Sequence, residues 1–243
     1  MDLLPNQLFL FFATAFFAEV IDSVIGFGSM LLLVPLTSLF LPISEAVVLS
    51  GLFHLFGSLA RTTISARYVD RTVLVRFGLP AALAAPVGAI LLPTIDASIL
   101  RMILGLILIF YAVFSLLHHR VHLHKRPLTL TLSGVFSGFI AGLLGTTGLV
   151  QGAVLTSLAL TNRTYLATIA GIALVTDISR VFVYQTIGLI HVTGDYIAAF
   201  LFVAILGAVM GKRIVHDVSK HTEKRIIFIA LMLAGIYFLF TKM

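Results

Sequence analysis

The sequence predicts an all-α integral membrane protein of two tandem homologous halves in inverted topology, each with a glycine-broken, re-entrant helical element and three transmembrane helices. Three observations lead there. The chain is 60% hydrophobic and 11% charged, with a mean hydropathy of +1.13, which leaves too little polar surface to cover a soluble globule of 243 residues. Its apolar runs have helix length and lack the alternation of a membrane barrel, and a helix satisfies its own backbone groups in lipid. Finally, a shift of 119 residues lays the second half over the first.

That shift places Leu144-Gly145-Thr146-Thr147-Gly148 on Ile25-Gly26-Phe27-Gly28-Ser29, and Leu155-Thr156-Ser157-Leu158 on Leu36-Thr37-Ser38-Leu39. It also pairs Phe17 with Phe136, Ile21 with Ile140, Arg61 with Arg180 and Gly88 with Gly207. Apolar matches arise easily by chance in so small an alphabet, whereas a Thr-Ser pair and an arginine at one offset do not. The predicted organisation is a first repeat over 1–118, a basic cytoplasmic connector over 119–127 and a second repeat over 128–243.

Apolar runs lie near 8–40, 46–60, 73–95, 97–117, 128–160, 164–190, 196–211 and 226–241, most of them long enough to span a bilayer. The runs 8–40 and 128–160 are each 33 residues long and broken by glycine, the first again by Pro35. Each is either a tilted, kinked helix that crosses once or a pair of segments that turns back. If all eight runs cross, the loop lysines and arginines divide seven against seven. If the two broken runs turn back, they divide twelve against two. Positive residues in short loops stay cytoplasmic, so the re-entrant arrangement is favoured. It puts the loops at 67–76, 120–126 and 212–225 in the cytoplasm and both termini outside a multi-pass protein of the cell inner membrane.

The segment from Met1 to Gln7 carries no positive charge, so the first run reads as retained rather than as a signal peptide. The chain has no cysteine, which excludes disulfides and thiolate metal sites. Its net charge of +6 lies in short loops, where it reports orientation rather than nucleic-acid binding. The connector holds His118, His119, His122 and His124, which invite a metal reading. With no carboxylate or cysteine beside them, a solvated basic linker fits better, and no metal or cofactor is expected.

The glycine breaks carry the first chemical expectation. A broken helix exposes backbone N–H groups and a positive dipole end where its second half begins, and both hold anions. The candidates are Gly26, Phe27, Gly28 and Ser29 in the first copy and Gly145, Thr146, Thr147 and Gly148 in the second, with the Gln151 amide one turn on. Close helix packing also selects glycine, and the alternative for Thr37, Ser38, Thr156 and Ser157 is bonding to their own helix.

Charges inside a membrane are costly unless paired or wet. Arg180 lies deep in the 164–190 run with Asp177 three residues earlier on the same face. It either offers a forked guanidinium to an oxyanion or forms a structural pair with Asp177. Arg61 is its counterpart, about two turns from the cytoplasmic loop and within snorkelling reach of it, so Arg180 is the stronger candidate for the anion. Glu19, Asp22, His54 and Asp177 are candidates to carry a coupling proton, with a hydrogen-bonded core histidine the alternative for His54. Tyr184 and Gln185 follow Arg180 by one turn and extend the same cavity.

With Gly26-Phe27-Gly28-Ser29 followed by Val34-Pro35-Leu36, and with Gly138 through Gly148 opening the second copy, the chain resembles the TauE/SafE family over nearly its whole length. The family consists of small membrane proteins with duplicated halves. It departs from the pattern at Thr146-Thr147, where glycine is common, and at Val154, opposite Pro35. The resemblance implies export of sulfite, sulfonates such as sulfoacetate, or related organic anions.

The expected function is therefore that of a secondary transporter, an exporter of a small anion such as sulfite, thiosulfate or an organosulfonate, working by alternating access at a midplane site between the repeats. No enzymatic activity and no catalytic residue are expected. An anion channel is the alternative, with an intramembrane enzyme using Ser29 and His54 behind it. The expected partners are the anion and the lipid bilayer, with homo-oligomerisation left open and no nucleic acid.

Overall fold

The structure is a computed structural model that describes residues 4–26, 29–117, 126–146, 148–190, 192, 194–214 and 232–239. Phe27, Gly28, Thr147, the histidines of the connector and most of the 212–225 loop lie outside the described residues. The described elements are α1 (Pro5–Ile25), α2 (Ser29–Thr37), α3 (Ile43–Ser65), α4 (Arg71–Thr94), α5 (Ala97–Leu117), α6 (Pro127–Leu144), α7 (Gly148–Thr156), α8 (Asn162–Thr186), α9 (Gly194–Ile214) and α10 (232–239). Among the described residues there is no strand, and six helices, α1, α3, α4, α6, α8 and α9, are long and apolar enough to cross a membrane. Large side chains such as Phe9, Phe17, Leu83, Phe136 and Phe202 project outward, a surface suited to lipid.

Local sequence explains where these helices begin and end. Pro5 and Pro127 sit in the first turn of α1 and α6, where a missing N–H costs nothing. Each of these helices ends on a left-handed glycine, Gly26 at φ 88° and Gly145 at φ 77°. The Gly26 N–H closes on the Asp22 carbonyl at 2.6 Å and the Gly145 N–H on the Ala141 carbonyl at 2.9 Å. The short helices that follow begin 119 residues apart, at Ser29 and Gly148, as do α3 and α8, at Ile43 and Asn162. Asp70 caps α4 by accepting from the N–H groups of Thr72 and Val73, and Thr161 caps α8 by accepting from that of Thr164. Asp96 opens α5, and the hydroxyl and backbone N–H of Ser98 hold its carboxyl below the usual carboxylate range.

Helix α4 contains a widened turn over Leu74–Gly78 and two interior prolines, Pro80 and Pro86. Each proline lacks the N–H that would bond the carbonyl four residues back, a cost that lipid cannot relieve. Neighbouring helices supply the missing donors. Thr131 of α6 donates to the Arg76 carbonyl and Ser179 of α8 to that of Ala82.

Helix directions follow from residue pairings. Helix α6 runs beside α4 in the same direction, with Gly134 on Phe77, Gly138 on Ala81 and Gly142 on Ala85. So close is this seam that a Cβ on any of these glycines would meet the α4 backbone, the small-residue packing that membrane helices use. Helix α9 runs beside α1 in the same way, with Gly207 on Phe16 and Glu19 and Gly211 on Val20 and Ser23. Helices α3 and α8 meet in opposite directions, Gly51 lying against Arg180 and Tyr184 while His54 and Ser58 reach Asp177.

Contacts near the start of each broken element lie close to contacts beyond its second limb. The Gln7 amide at the start of α1 donates to the Phe40 carbonyl beyond α2 at 3.1 Å. At the start of α6, Thr131 touches Arg76, while Arg163, beyond α7, lies over the Tyr68 ring together with Arg67. The two glycine tips meet the opposite half: Gly26 packs on Leu166 of α8 and Gly145 on Val47 of α3, positions again 119 apart.

Candidate functional site

At the centre, α1, α3 and α8 bring together three carboxylates, two guanidiniums and one imidazole, all buried but for a slight exposure at Arg61. Glu19, Asp177 and Arg180 are fully buried, and the Arg61 side chain is 11% exposed. Arg61 donates through Nη1 to Glu19 Oε1 and through Nη2 to Asp22 Oδ2 at 2.8 Å. The Ser29 hydroxyl donates to the same Asp22 oxygen at 2.9 Å, and His54 Nε2 lies 3.3 Å from it. The other ring nitrogen of His54 is 2.7 Å from Asp177 Oδ2, which also accepts from Ser58 at 3.0 Å.

His54 thus joins Asp22 of the first broken element to Asp177 of the second half. A carboxylate oxygen stands at each ring nitrogen, and Arg61 Nη2 also lies 3.3 Å from Nε2. Carboxylates and cations thus alternate through the cluster. Such mutual pairing is what makes a buried ionic cluster tolerable in a membrane.

Arg180 is placed differently. Its Nε and Nη2 donate to Asp177 Oδ1 at 3.0 and 2.6 Å, and Nη1 donates to the carbonyls of Ala141 and Gly145, both at 3.0 Å. These carbonyls belong to the last turn of α6, so the guanidinium closes that helix end. Tyr184 adds a hydroxyl to the Gly142 carbonyl beside them, while Gln185 is exposed.

A small cavity opens between the two halves. It is lined by Asp22, Gly26, Ser29, His54 and Arg61 from the first and by Gly148, Gln151, Ile169 and Ala173 from the second. The room between these side chains is about that of one water molecule, too little for an oxyanion as the cavity stands. The first residues of α2 and α7, Ser29 and Gly148, both face it, and with them two positive helix ends.

The structure therefore gathers Gly26, Ser29, Gly148, Gln151 and Arg61 at one cavity, with Asp22 and His54. Glu19 sits behind Arg61, and Asp177 behind His54. Arg180 and Gly145 lie outside the cavity lining, and Arg61 turns to Glu19 and Asp22 rather than to the loop below it. Gln151 is held by a bond from its amide to the Ile169 carbonyl at 2.8 Å, and Thr146 is buried with no hydrogen-bond partner for its hydroxyl. Ser29 and His54 meet through Asp22 and make no direct bond. Ser38, Thr156 and Ser157 bond carbonyls of their own helices, whereas the Thr37 hydroxyl has no hydrogen-bond partner.

Sequence reasoning missed Ser58, although the 119-residue offset pairs it with Asp177, the residue to which it donates. It also missed Gly57, against which the Glu19 carboxylate lies so closely that a Cβ there would displace it.

Helices that satisfy one another's broken backbone in an apolar shell, around a charged cavity lined by two helix ends, define a multi-pass membrane protein of the transporter class. The chain belongs to the family described as Sulfite exporter TauE/SafE, whose sequence profile matches residues 11–238. No curated protein and no solved structure matches it.

Proposed function

We propose that this protein is a secondary transporter that exports a small sulfur oxyanion such as sulfite, thiosulfate or an organosulfonate, by alternating access at the cavity between its halves, and that it is not an enzyme. The observation that carries this reading is the cavity lining itself: two helix N-termini and the Arg61 guanidinium, contributed by both halves, converge on one space. Arg61 supplies the forked donor, because it lines the cavity and Arg180 does not. The family supports the substrate class.

Two repeats, 1–118 and 128–243, oppositely oriented, complete the proposal. In support, α3 and α8 occupy equivalent places and run antiparallel, and the α4–α6 pairing is exchanged for α9–α1. The Gln7–Phe40 bond and the shared position of Arg67 and Arg163 favour re-entrant broken elements. That arrangement places the basic loops together in the cytoplasm of an inner-membrane protein, with both termini outside.

The test is counterflow in proteoliposomes loaded with sulfite, thiosulfate, sulfoacetate or a carboxylate control, comparing wild type with Arg61→Gln. Saturable exchange of a sulfur oxyanion, absent in the folded variant, is the expected result. Exchange of none of these anions by folded wild type would overturn the substrate class, and non-saturable flux would favour a channel.

A further inference from the structure

Resting on the transport reading above, we infer that Glu19 is the proton-exchanging carboxyl of the site: it gives up Arg61 to the incoming anion and takes a proton in return. Arg61 lines the cavity, and Glu19 lies behind it on the side away from the cavity. An oxyanion that takes the Arg61 fork must therefore draw N–H donors away from Glu19, from Asp22, or from both.

The two carboxylates are not equally able to lose them. Asp22 keeps the Ser29 hydroxyl and His54 Nε2 at the oxygen that Arg61 leaves. Glu19 keeps nothing. Its Oε1 has Arg61 as partner, and its Oε2 is buried without one. Glycines of two other helices close around the side chain. A Cβ at Gly57 of α3 would strike the carboxylate, and one at Gly207 of α9 would come within 2.9 Å of Glu19 Cβ and Cγ. The carboxylate is thus closed off on its α3 and α9 sides. A fully buried carboxylate without a partner is too costly to stay ionised and takes up a proton instead.

The charged surroundings agree. Glu19 feels Arg61 and His54 from α3 and Asp22 from its own helix. The α9 face against it is Gly207 and carries no charge, and Asp177 with Arg180 on α8 stands behind His54. An incoming oxyanion adds negative charge to the cluster, and a proton on Glu19 offsets one unit of it. Arg61 Nη1–H passes from Glu19 Oε1 to an anion oxygen, and the proton comes from the aqueous phase that delivers the anion. The second half has Gly138 at the equivalent position, so one such exchange occurs per molecule.

Linkage sets the sign: protonation accompanies anion binding, so affinity falls as pH rises, by about tenfold per pH unit for one linked proton. Thiosulfate suits the test, since its charge is constant across the range near neutrality. Its affinity for the purified full-length protein is measured across that range for wild type, Glu19→Gln and Asp22→Asn. A steep pH dependence in wild type that vanishes in Glu19→Gln, with binding retained, supports the exchange. A pH-independent wild type, or an unchanged slope in Glu19→Gln, overturns it. No thiosulfate binding by wild type at any pH overturns the transport reading and this exchange with it. Infrared difference spectra of wild type alone serve if Glu19→Gln does not fold. A protonated carboxyl stretch that appears on thiosulfate addition supports the exchange, and its absence overturns it.

Discussion

Arg61 and Arg180 stand at equivalent places in the two halves, and each reaches the last turns of its own half's first limb. In the second half the guanidinium meets backbone carbonyls, those of Ala141 and Gly145. In the first half it meets side-chain carboxylates, Glu19 and Asp22, at positions where the second half has Gly138 and Ala141. Backbone carbonyls cannot take a proton or turn away, so the Arg180 contact is a fixed latch. Carboxylates can do both, so the Arg61 contact is releasable. The same cation stands at two positions 119 residues apart, and a few residues on the facing helix decide whether it meets backbone or carboxylates.

The largest expected effect breaks this contrast on the first side. Arg61→Gln should abolish saturable thiosulfate binding and lower stability by about 3–5 kcal/mol, the usual cost of stranding buried charged partners. Adding Glu19→Gln should restore much of the melting temperature without restoring binding, which separates the structural part from the functional one. Wild-type affinity in Arg61→Gln would end the contrast.

Arg180→Gln comes next. The same order of stability, about 3–5 kcal/mol, should be lost, because Asp177 Oδ1 loses its guanidinium and two α6 carbonyls lose their donors. The thiosulfate Kd of the remaining folded protein should stay within about threefold, equivalent to well under 1 kcal/mol. A large rise in Kd with the fold intact would give Arg180 the role assigned here to Arg61.

Much of the scaffold was legible in the sequence, because glycine breaks act locally and the offset repeats them. The shift of 119 residues anticipated the matching starts of α2 with α7 and α3 with α8, and placed Gly26 opposite Gly145. The ranking of Arg180 above Arg61 rested on distance alone. Distance from the loop put Arg61 within snorkelling reach, but what holds it is the face of α1 that bears Glu19 and Asp22. That face meets α3 only in three dimensions. The pairing of α4 with α6 was hidden for the same reason: Gly134, Gly138 and Gly142 mark a close contact without naming the partner.

That seam gives a smaller effect. Gly138→Ala puts a methyl where the Cα and carbonyl carbon of Ala81 lie 2.6 Å away, so α6 and α4 must move apart. Overpacking of this kind costs about 1–3 kcal/mol. Thermal unfolding of the purified protein should show the loss, and thiosulfate affinity should not change. An unchanged melting temperature would mean that the second half is less rigidly closed than the contrast requires.

Tyr184 provides the finest adjustment. Its hydroxyl reaches across to the Gly142 carbonyl of α6, while its counterpart Ser65 bonds the Arg61 carbonyl within its own helix. The second half therefore ties α8 to α6 at two points, and at the same two positions the first half ties α3 to α1 at one. Tyr184→Phe removes the second tie and keeps the ring, so it should cost about 0.5–1.5 kcal/mol, the net worth of one hydrogen bond. If hydrogen exchange then rises in α6 alone, the fixed latch is built from both residues. If it rises equally in α1, the two halves share one rigid body, and the difference between them is confined to the chemistry around Arg61.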